Sequence, residues 1–324
     1  MSSNASPLAP DLNLIPAVPA PPGVSFNPDD LDNYKHRHIV MHSVGLSIVT
    51  IAVLIRLYTR AFVKKFVGLD DYLLILSWMA SITFSTILAY STRYGFGMHT
   101  YDIPASKFLI TFKWLTISQW CYFPAVLSVK VCILLTYLRI FQINRTAKWM
   151  ICFGIAAMII FYIVAFFCTL FYCVPVQRAW DRTVPGHCIS YSAWPYATGI
   201  FNFCSDFFIL LIPLRPIFTL TMPFWRKVRI LCIFSMGLFT CVASIMRFVV
   251  TLQSINNPDQ TYVAAKVLYW AIIEINLGII CTCAIVFPAF FDTSEPNSFG
   301  SLFGSLLSSR LSSKSELSQP EIKV

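Results

Sequence analysis

Residues 149–177 run for 29 positions without one Asp, Glu, Lys or Arg. That exceeds the roughly 20 apolar residues needed to cross a bilayer as a helix. Six more stretches share the character. Residues 72–92 are equally free of charge, while 39–55 and 230–246 are shorter and extend into polar flanks. Residues 108–137 enclose two lysines, 192–214 one aspartate, and 264–291 one glutamate and one lysine. Lipid offers the backbone no hydrogen bonds, so only helices and closed barrels span it. Continuous apolar runs, without alternation at period two, select helices. Hydrophobic residues make up 57% of the chain and charged ones 12%, about half the charged share (~25%) of a soluble domain. The expected fold is all-α: a polytopic membrane protein with a seven-transmembrane-helix bundle over residues 37–291.

Seven crossings put the chain ends on opposite sides. One set of loops and the tail hold Arg56, Arg60, Lys64, Lys65, Arg139, Arg145, Lys148, Arg215, Arg226, Lys227, Arg229, Arg310, Lys314 and Lys323; the other holds Lys35, Arg37, Arg93, Lys107, Arg178, Arg182 and Lys266. Fourteen cations against seven place the carboxy terminus in the cytosol and the amino terminus outside. This asymmetry accounts for the net charge of +9. The basic residues are spread over short loops rather than gathered in a patch, so the expected partner is the lipid bilayer, most naturally the plasma membrane, and not nucleic acid.

Residues 1–36 read as a disordered extracellular arm, because Pro7, Pro10, Pro16, Pro19, Pro21, Pro22 and Pro28 forbid regular helix. The arm has no signal-peptide core, so the first span is expected to direct insertion. Asn4, in Asn4-Ala5-Ser6, is a glycosylation candidate on the outer side; Asn144-Arg145-Thr146 falls on the cytosolic side, and a glycan there would reverse the topology. Residues 292–324 read as a Ser-rich cytosolic tail. Phe299, Leu302, Phe303, Leu306 and Leu307 mark one face of an interfacial amphipathic helix over 298–311, the alternative being a disordered segment. Ser312, Ser313 and Ser315 beside Arg310 and Lys314 are candidate phosphorylation sites.

None of the eleven cysteines precedes Cys121, and most lie in spans, where a thiol acts as a small apolar group. Cys173 and Cys188 instead bracket the loop between spans four and five, which faces an oxidising space. A disulfide there would close a loop of ~15 residues, worth about 3 kcal/mol; the alternative is two free thiols.

An ion at mid-membrane costs about 2.5–3.5 kcal/mol on insertion scales, so such groups face the bundle and find partners. Lys130 lies nine residues before Arg139, and Asp206 nine before Arg215. At ~1.5 Å per residue both sit ~13 Å from the inner boundary, where they are expected to pair or share water. Arg247 meets Glu274 if it reaches inward, and Asn202, Gln119 and Asn276 are candidates to complete the network. It reads either as structural glue or as a bistable switch or polar ligand pocket. In the first inner loop, Arg56 and Arg60 end a helix and Asp70 and Asp71 begin one, each favourable to the helix dipole, with Gly68 allowing the turn. That loop reads as a hairpin anchored at the headgroups or as a contact surface for a cytosolic partner.

Arg56-Leu57-Tyr58-Thr59-Arg60 followed by Gly68-Leu69-Asp70-Asp71 resembles the RxYxR…GxDD signature of the fungal rhodopsin-domain family, seven-span proteins that include the Pth-type receptors. Gly95-Phe96-Gly97-Met98-His99, Tyr137-Leu138-Arg139-Ile140-Phe141, Cys173-Val174-Pro175, Trp180, Gly186-His187-Cys188, Asp206, Pro213, Ser244-Ile245 with Arg247, and Glu274-Ile275-Asn276-Leu277-Gly278 follow in the family's order. The resemblance covers about residues 39–291 and implies a receptor or sensor that passes an extracellular or membrane signal to a cytosolic G protein or other partner. His99 and His187, beside Tyr94, Tyr101 and Trp194, are candidates to contact a small-molecule or surface-derived ligand. No retinal or other cofactor is expected: a Schiff base needs a lysine deep in the seventh span, and Lys266 lies near its end. Nor is an enzyme expected, because a zinc hydrolase needs several intramembrane histidines and only His42 lies within an expected span. A transporter or channel for a small polar solute is the alternative that the intramembrane ions allow.

Overall fold

The computed structural model describes residues 16, 18–20, 22–23, 27, 34–63, 67–140, 145–189, 194–213, 224–254 and 257–284, with backbone alone for Val63, Ile140 and 224–233. The described residues are overwhelmingly helical: α1 (Lys35–Tyr58), α2 (Leu69–Ser91), α3 (Ala105–Ile140), α4 (Arg145–Leu170), α5 (Trp194–Leu211), α6 (Phe224–Ser254) and α7 (Gln260–Ala284). Among the described residues, six stretches are long and apolar enough to cross a membrane: Lys35–Phe62, Leu69–Tyr94, Ala105–Arg139, Arg145–Leu170, Phe234–Ser254 and Gln260–Ala284. The fifth apolar stretch forms α5, whose 18 residues reach only ~27 Å. Asn4 and the helix expected over 298–311 lie outside the described residues, as do 285–291 of the expected bundle. The arm is less detached than its prolines suggest, since Pro16 bridges Pro104 and the Asn27 N–H donates to Asp102 Oδ1 (3.0 Å).

The helices form a ring. α1 packs on α2, α2 on α3, α3 on α4, α5 on α6, α6 on α7 and α7 on α1, while α3 and α7 also meet across the middle. Buried residues make up 67% of the α3 window and 61% of the α7 window, against 28–33% of the other four. Those two helices are therefore the axis of the bundle. Its outside is apolar: Phe153, Ile160 and Phe239 are exposed. A water-soluble protein would not leave such a surface uncovered, and lipid covers it without cost.

Two ends follow from the connectivity. The near end holds the start of α1, the α2–α3 and α4–α5 loops and the α6–α7 turn. The far end holds the α1–α2 and α3–α4 junctions and the finish of α7. At the near end β1 (Cys173–Val174) pairs antiparallel with β2 (His187–Cys188), with Cys173 opposite Cys188. A disulfide joins these two cysteines, so the pairing open in the sequence is formed. In the same loop the Thr183 hydroxyl and N–H donate to Asp181 and hold its carboxyl below the usual range.

Candidate functional site: two ion clusters on one pair of helices

The interior cluster is built from helical spacing. On α5, Asn202, Ser205 and Asp206 share one face at i, i+3 and i+4, and on α6 Ser244 and Arg247 do the same. All are buried, as are Lys130 of α3 and Glu274 of α7. Lys130 Nζ lies 2.7 Å from Asp206 Oδ1 and donates to Ser205 Oγ (2.6 Å) and to the Asn202 carbonyl (3.0 Å). Arg247 Nε donates to Glu274 Oε2 at 2.9 Å, with the guanidinium carbon 5.2 Å from the centre of the Tyr122 ring. Asn202 joins the two pairs. Its Nδ2 donates to Glu274 Oε1 (2.8 Å) and Asp206 Oδ2 (3.2 Å), and its Oδ1 accepts from Tyr162 Oη (2.6 Å). Ser244 Oγ closes the ring by a short bond to Asp206 Oδ2. Two cations face two anions, and five helices are tied together.

Two expected members lie elsewhere. Gln119 is exposed. Asn276 is buried, but it accepts from Ser81 Oγ of α2 at 3.0 Å. Residues two apart on a helix point ~200° apart, so Glu274 and Asn276 serve opposite faces of α7.

The second cluster sits at the far end. Arg56 is fully buried; its Nη2 donates to Asp70 Oδ2 (2.8 Å), its Nε to Asp71 Oδ1 (3.1 Å) and its Nη1 to the Thr282 carbonyl of α7. Arg60 approaches Asp70 at 3.5 Å, and Arg139 of α3 reaches Asp70 Oδ1 at 3.0 Å. This corrects both sequence readings of the loop motif. Arg56, Asp70 and Asp71 are neither anchored among headgroups nor offered as a surface, because together they bind α1, α2, α3 and α7 in the interior. Asp71 also caps α2, its Oδ2 accepting from the Gly68 N–H at 3.0 Å. Gly68 itself has an ordinary extended backbone (φ −121°). It is needed for space, since a Cβ there would lie 2.5 Å from Asp70 Oδ1 and 3.0 Å from Arg139 Nη1. Tyr58 is exposed and packs on Phe62.

Sequence reasoning missed Arg139, Tyr162, Ser205, Ser244 and the Thr282 carbonyl as members of these clusters. Helical spacing from Asn202 and Arg247 pointed to the two serines; nothing local marks a carbonyl. It also missed His38, buried beside His42 because α1 begins at Lys35. Of the loop histidines, His187 is exposed. His99 bonds Asp259 through Nδ1 and stacks between Tyr101 and Tyr262, with ring centres 5.1 and 4.1 Å away. Lys266 lies with its ammonium 4.3 Å from the centre of the Tyr262 ring.

No solved structure matches the chain. It is 32% identical over 215 residues to a SAT4 family membrane protein of Emericella nidulans, a match covering 64% of this chain and 53% of that protein. It is 26% identical over 284 residues to the fugralins biosynthesis cluster protein 2 of Gibberella zeae (84% of this chain, 70% of the relative). A third relative is the wortmanamides biosynthesis cluster protein C of Talaromyces wortmannii, at 28% over 182 residues (55% and 48%). The chain thus spans about half the length of the first and third. The family model of the fungal rhodopsin domain matches residues 55–293, a range that runs from the Arg56 cluster through α7. The chain is therefore a multi-pass membrane protein that belongs to the fungal rhodopsin domain family.

Proposed function

We propose that the protein is a seven-span receptor or sensor of the plasma membrane, with its amino terminus outside and its carboxy terminus cytosolic. It takes up a small-molecule or surface-derived signal at the near end or within the bundle and passes it, without retinal, to a cytosolic partner such as a G protein. Like the Pth-type receptors, it acts by a helix shift rather than by catalysis. The excess of cations on the far-end loops supports the orientation, and the packing of α5 against α6 supports a seventh crossing. Two relatives are named for biosynthesis clusters, in keeping with a small-molecule signal.

The observation that carries the reading is that both ion clusters hang on the same two helices. Lys130 and Arg139 belong to α3; Glu274 and the Thr282 carbonyl belong to α7. Nine residues separate Lys130 from Arg139, about 13 Å of rise and about two and a half turns, which leaves the two on opposite faces of α3. Accordingly α3 is clamped toward α5 at mid-depth and toward α2 at the far end. A tilt that loosens the first clamp strains the second, and packed interiors answer such strain by switching between discrete arrangements.

The test is reconstitution in proteoliposomes. Nucleotide exchange on a purified heterotrimeric G protein is measured for the native chain and for Glu274→Gln, alongside uptake of a panel of small polar solutes. Exchange that changes with the substitution, without solute uptake, is the expected result. Uptake with no exchange by either form establishes the transporter instead.

A further inference from the structure

Among the described residues, five buried side-chain atoms lack a hydrogen-bond partner, and three of them come from three helices that share one seam: His42 Nδ1 of α1, Ser85 Oγ of α2 and Asn276 Nδ2 of α7. Their residues are 3%, 1% and 4% exposed. Each atom would cost a good part of a hydrogen bond if left dry, and three in one seam call for a shared explanation.

Their placement supplies it. His38, His42 and Gly45 fall on one face of α1 at i, i+4 and i+7. A Cβ on Gly45 would lie 2.7 Å from Asn276 Nδ2, so the amide rests on that glycine. On α2, Ser81 bonds the other end of the same amide, and Ser85 stands one turn closer to the near end. His42 likewise stands about one turn closer to the near end than Gly45. By this spacing His42 and Ser85 fall on the helix faces that meet at Asn276, within roughly one helical pitch (~5.4 Å) of its depth.

Their chemistry is complementary. His38 Nε2 lies 2.9 Å from the Ala265 carbonyl, which only accepts, so Nε2 carries the hydrogen. In the neutral ring Nδ1 then accepts, and His42 Nε2, 3.4 Å away, donates to it. That leaves His42 Nδ1 an acceptor, Asn276 Nδ2 a donor and Ser85 Oγ either.

We propose that this seam is a binding site for one structural water molecule. The water donates to His42 Nδ1 and accepts from Asn276 Nδ2–H and Ser85 Oγ–H. Three polar partners are the usual number for a buried water. With it in place, an unbroken file of hydrogen bonds runs from the Ala265 carbonyl through His38, His42, water and Asn276 to Ser81. His38 and Arg56 tie the two ends of α1 to α7. The water supplies a tie in the middle.

Water-edited solid-state NMR on the full chain in liposomes tests this, with isotope-labelled His and Ser and with His42→Phe and Ser85→Ala to assign the signals. In the native protein, transfer from water to both the His42 ring and Ser85 is expected at short mixing times. In parallel, Ser85→Ala lowers Tm in the native background and leaves it unchanged beside His42→Phe. Absence of transfer from water to His42 overturns the site. So does a rise in Tm for Ser85→Ala alone, because deleting a dry, unpaired hydroxyl stabilises.

Discussion

Replacing Lys130 by Met removes the cation that faces Asp206 at 2.7 Å and leaves a carboxylate in the interior of the bundle. Breaking a buried pair from one side costs about 3–5 kcal/mol, most of it the penalty of the abandoned charge. Asp206→Leu abandons the ammonium in the same way. In the double substitution no charge is stranded. Ser205 keeps the Asn202 carbonyl as an acceptor at 2.7 Å, and Asn202 Nδ2 keeps Glu274 at 2.8 Å. Mainly the short bond from Ser244 to Asp206 is lost, a cost of about 1–2 kcal/mol. The double variant is therefore more stable than either single one. The coupling energy is about 2 kcal/mol or more even if lipid-embedded polar pairs yield less than water-soluble ones. Reversible unfolding of the reconstituted protein by titration with a denaturing detergent measures all four corners of the cycle. Costs that simply add, to within about 0.5 kcal/mol, would falsify the pairing as the source of the stability.

Arg56→Lys, read in the same titration, costs about 2–3 kcal/mol, since an ammonium cannot span Asp70, Asp71 and the Thr282 carbonyl as the guanidinium does. Arg139→Gln, at a position 24% exposed, costs under about 1 kcal/mol; equal losses for the two would remove the far-end cluster as a distinct interior unit. Cys173→Ser lowers stability by about 3 kcal/mol, from the ~15-residue loop it reopens, and mass spectrometry without reductant finds the Cys173 and Cys188 peptides linked in the native chain. Gly278→Leu costs about 1–3 kcal/mol by overpacking, because a Cβ at Gly278 would lie 2.5 Å from Val129 Cγ1; retained stability would mean that α3 and α7 are less closely packed than described. Protease protection in sealed vesicles finds the amino-terminal arm and the carboxy-terminal tail on opposite faces, and a glycan on Asn144 would invert the orientation.

Six of the seven expected crossings were legible because each depends on the length and composition of one stretch, and lipid removes most alternatives. The interior pairs were legible for a related reason: ions are scarce enough in the spans that Lys130 has few partners to choose from. The loop motif misled because its residues sit where helix ends meet headgroups in the linear order. Whether Arg56 turns outward or inward depends on the Thr282 carbonyl, 226 positions away, and no local pattern encodes that acceptor. Gly68 misled in the same way. Its missing side chain makes room for Arg139, a reason for glycine that the turn alone does not reveal.

Glu274 and Asn276 show most clearly how depth and direction separate. Their proximity in sequence fixes a common depth, which is what placed them in one expected network. Their ~200° separation around α7 sends Glu274 to Arg247 and Asn202, and Asn276 to Ser81 and the backbone at Gly45. At that depth α7 is polar on two opposite sides, where an ordinary bundle helix has one polar and one apolar face. Such a helix cannot rotate without loosening both sides at once, so a displacement on the α5–α6 side is carried to the α1–α2 side by α7 itself. Distance measurements between spin labels on α1 and α4 test this directly. Asn276→Leu, which touches no ion, should broaden that distribution about as much as Glu274→Gln; an unchanged distribution in Asn276→Leu would show the two faces to be independent.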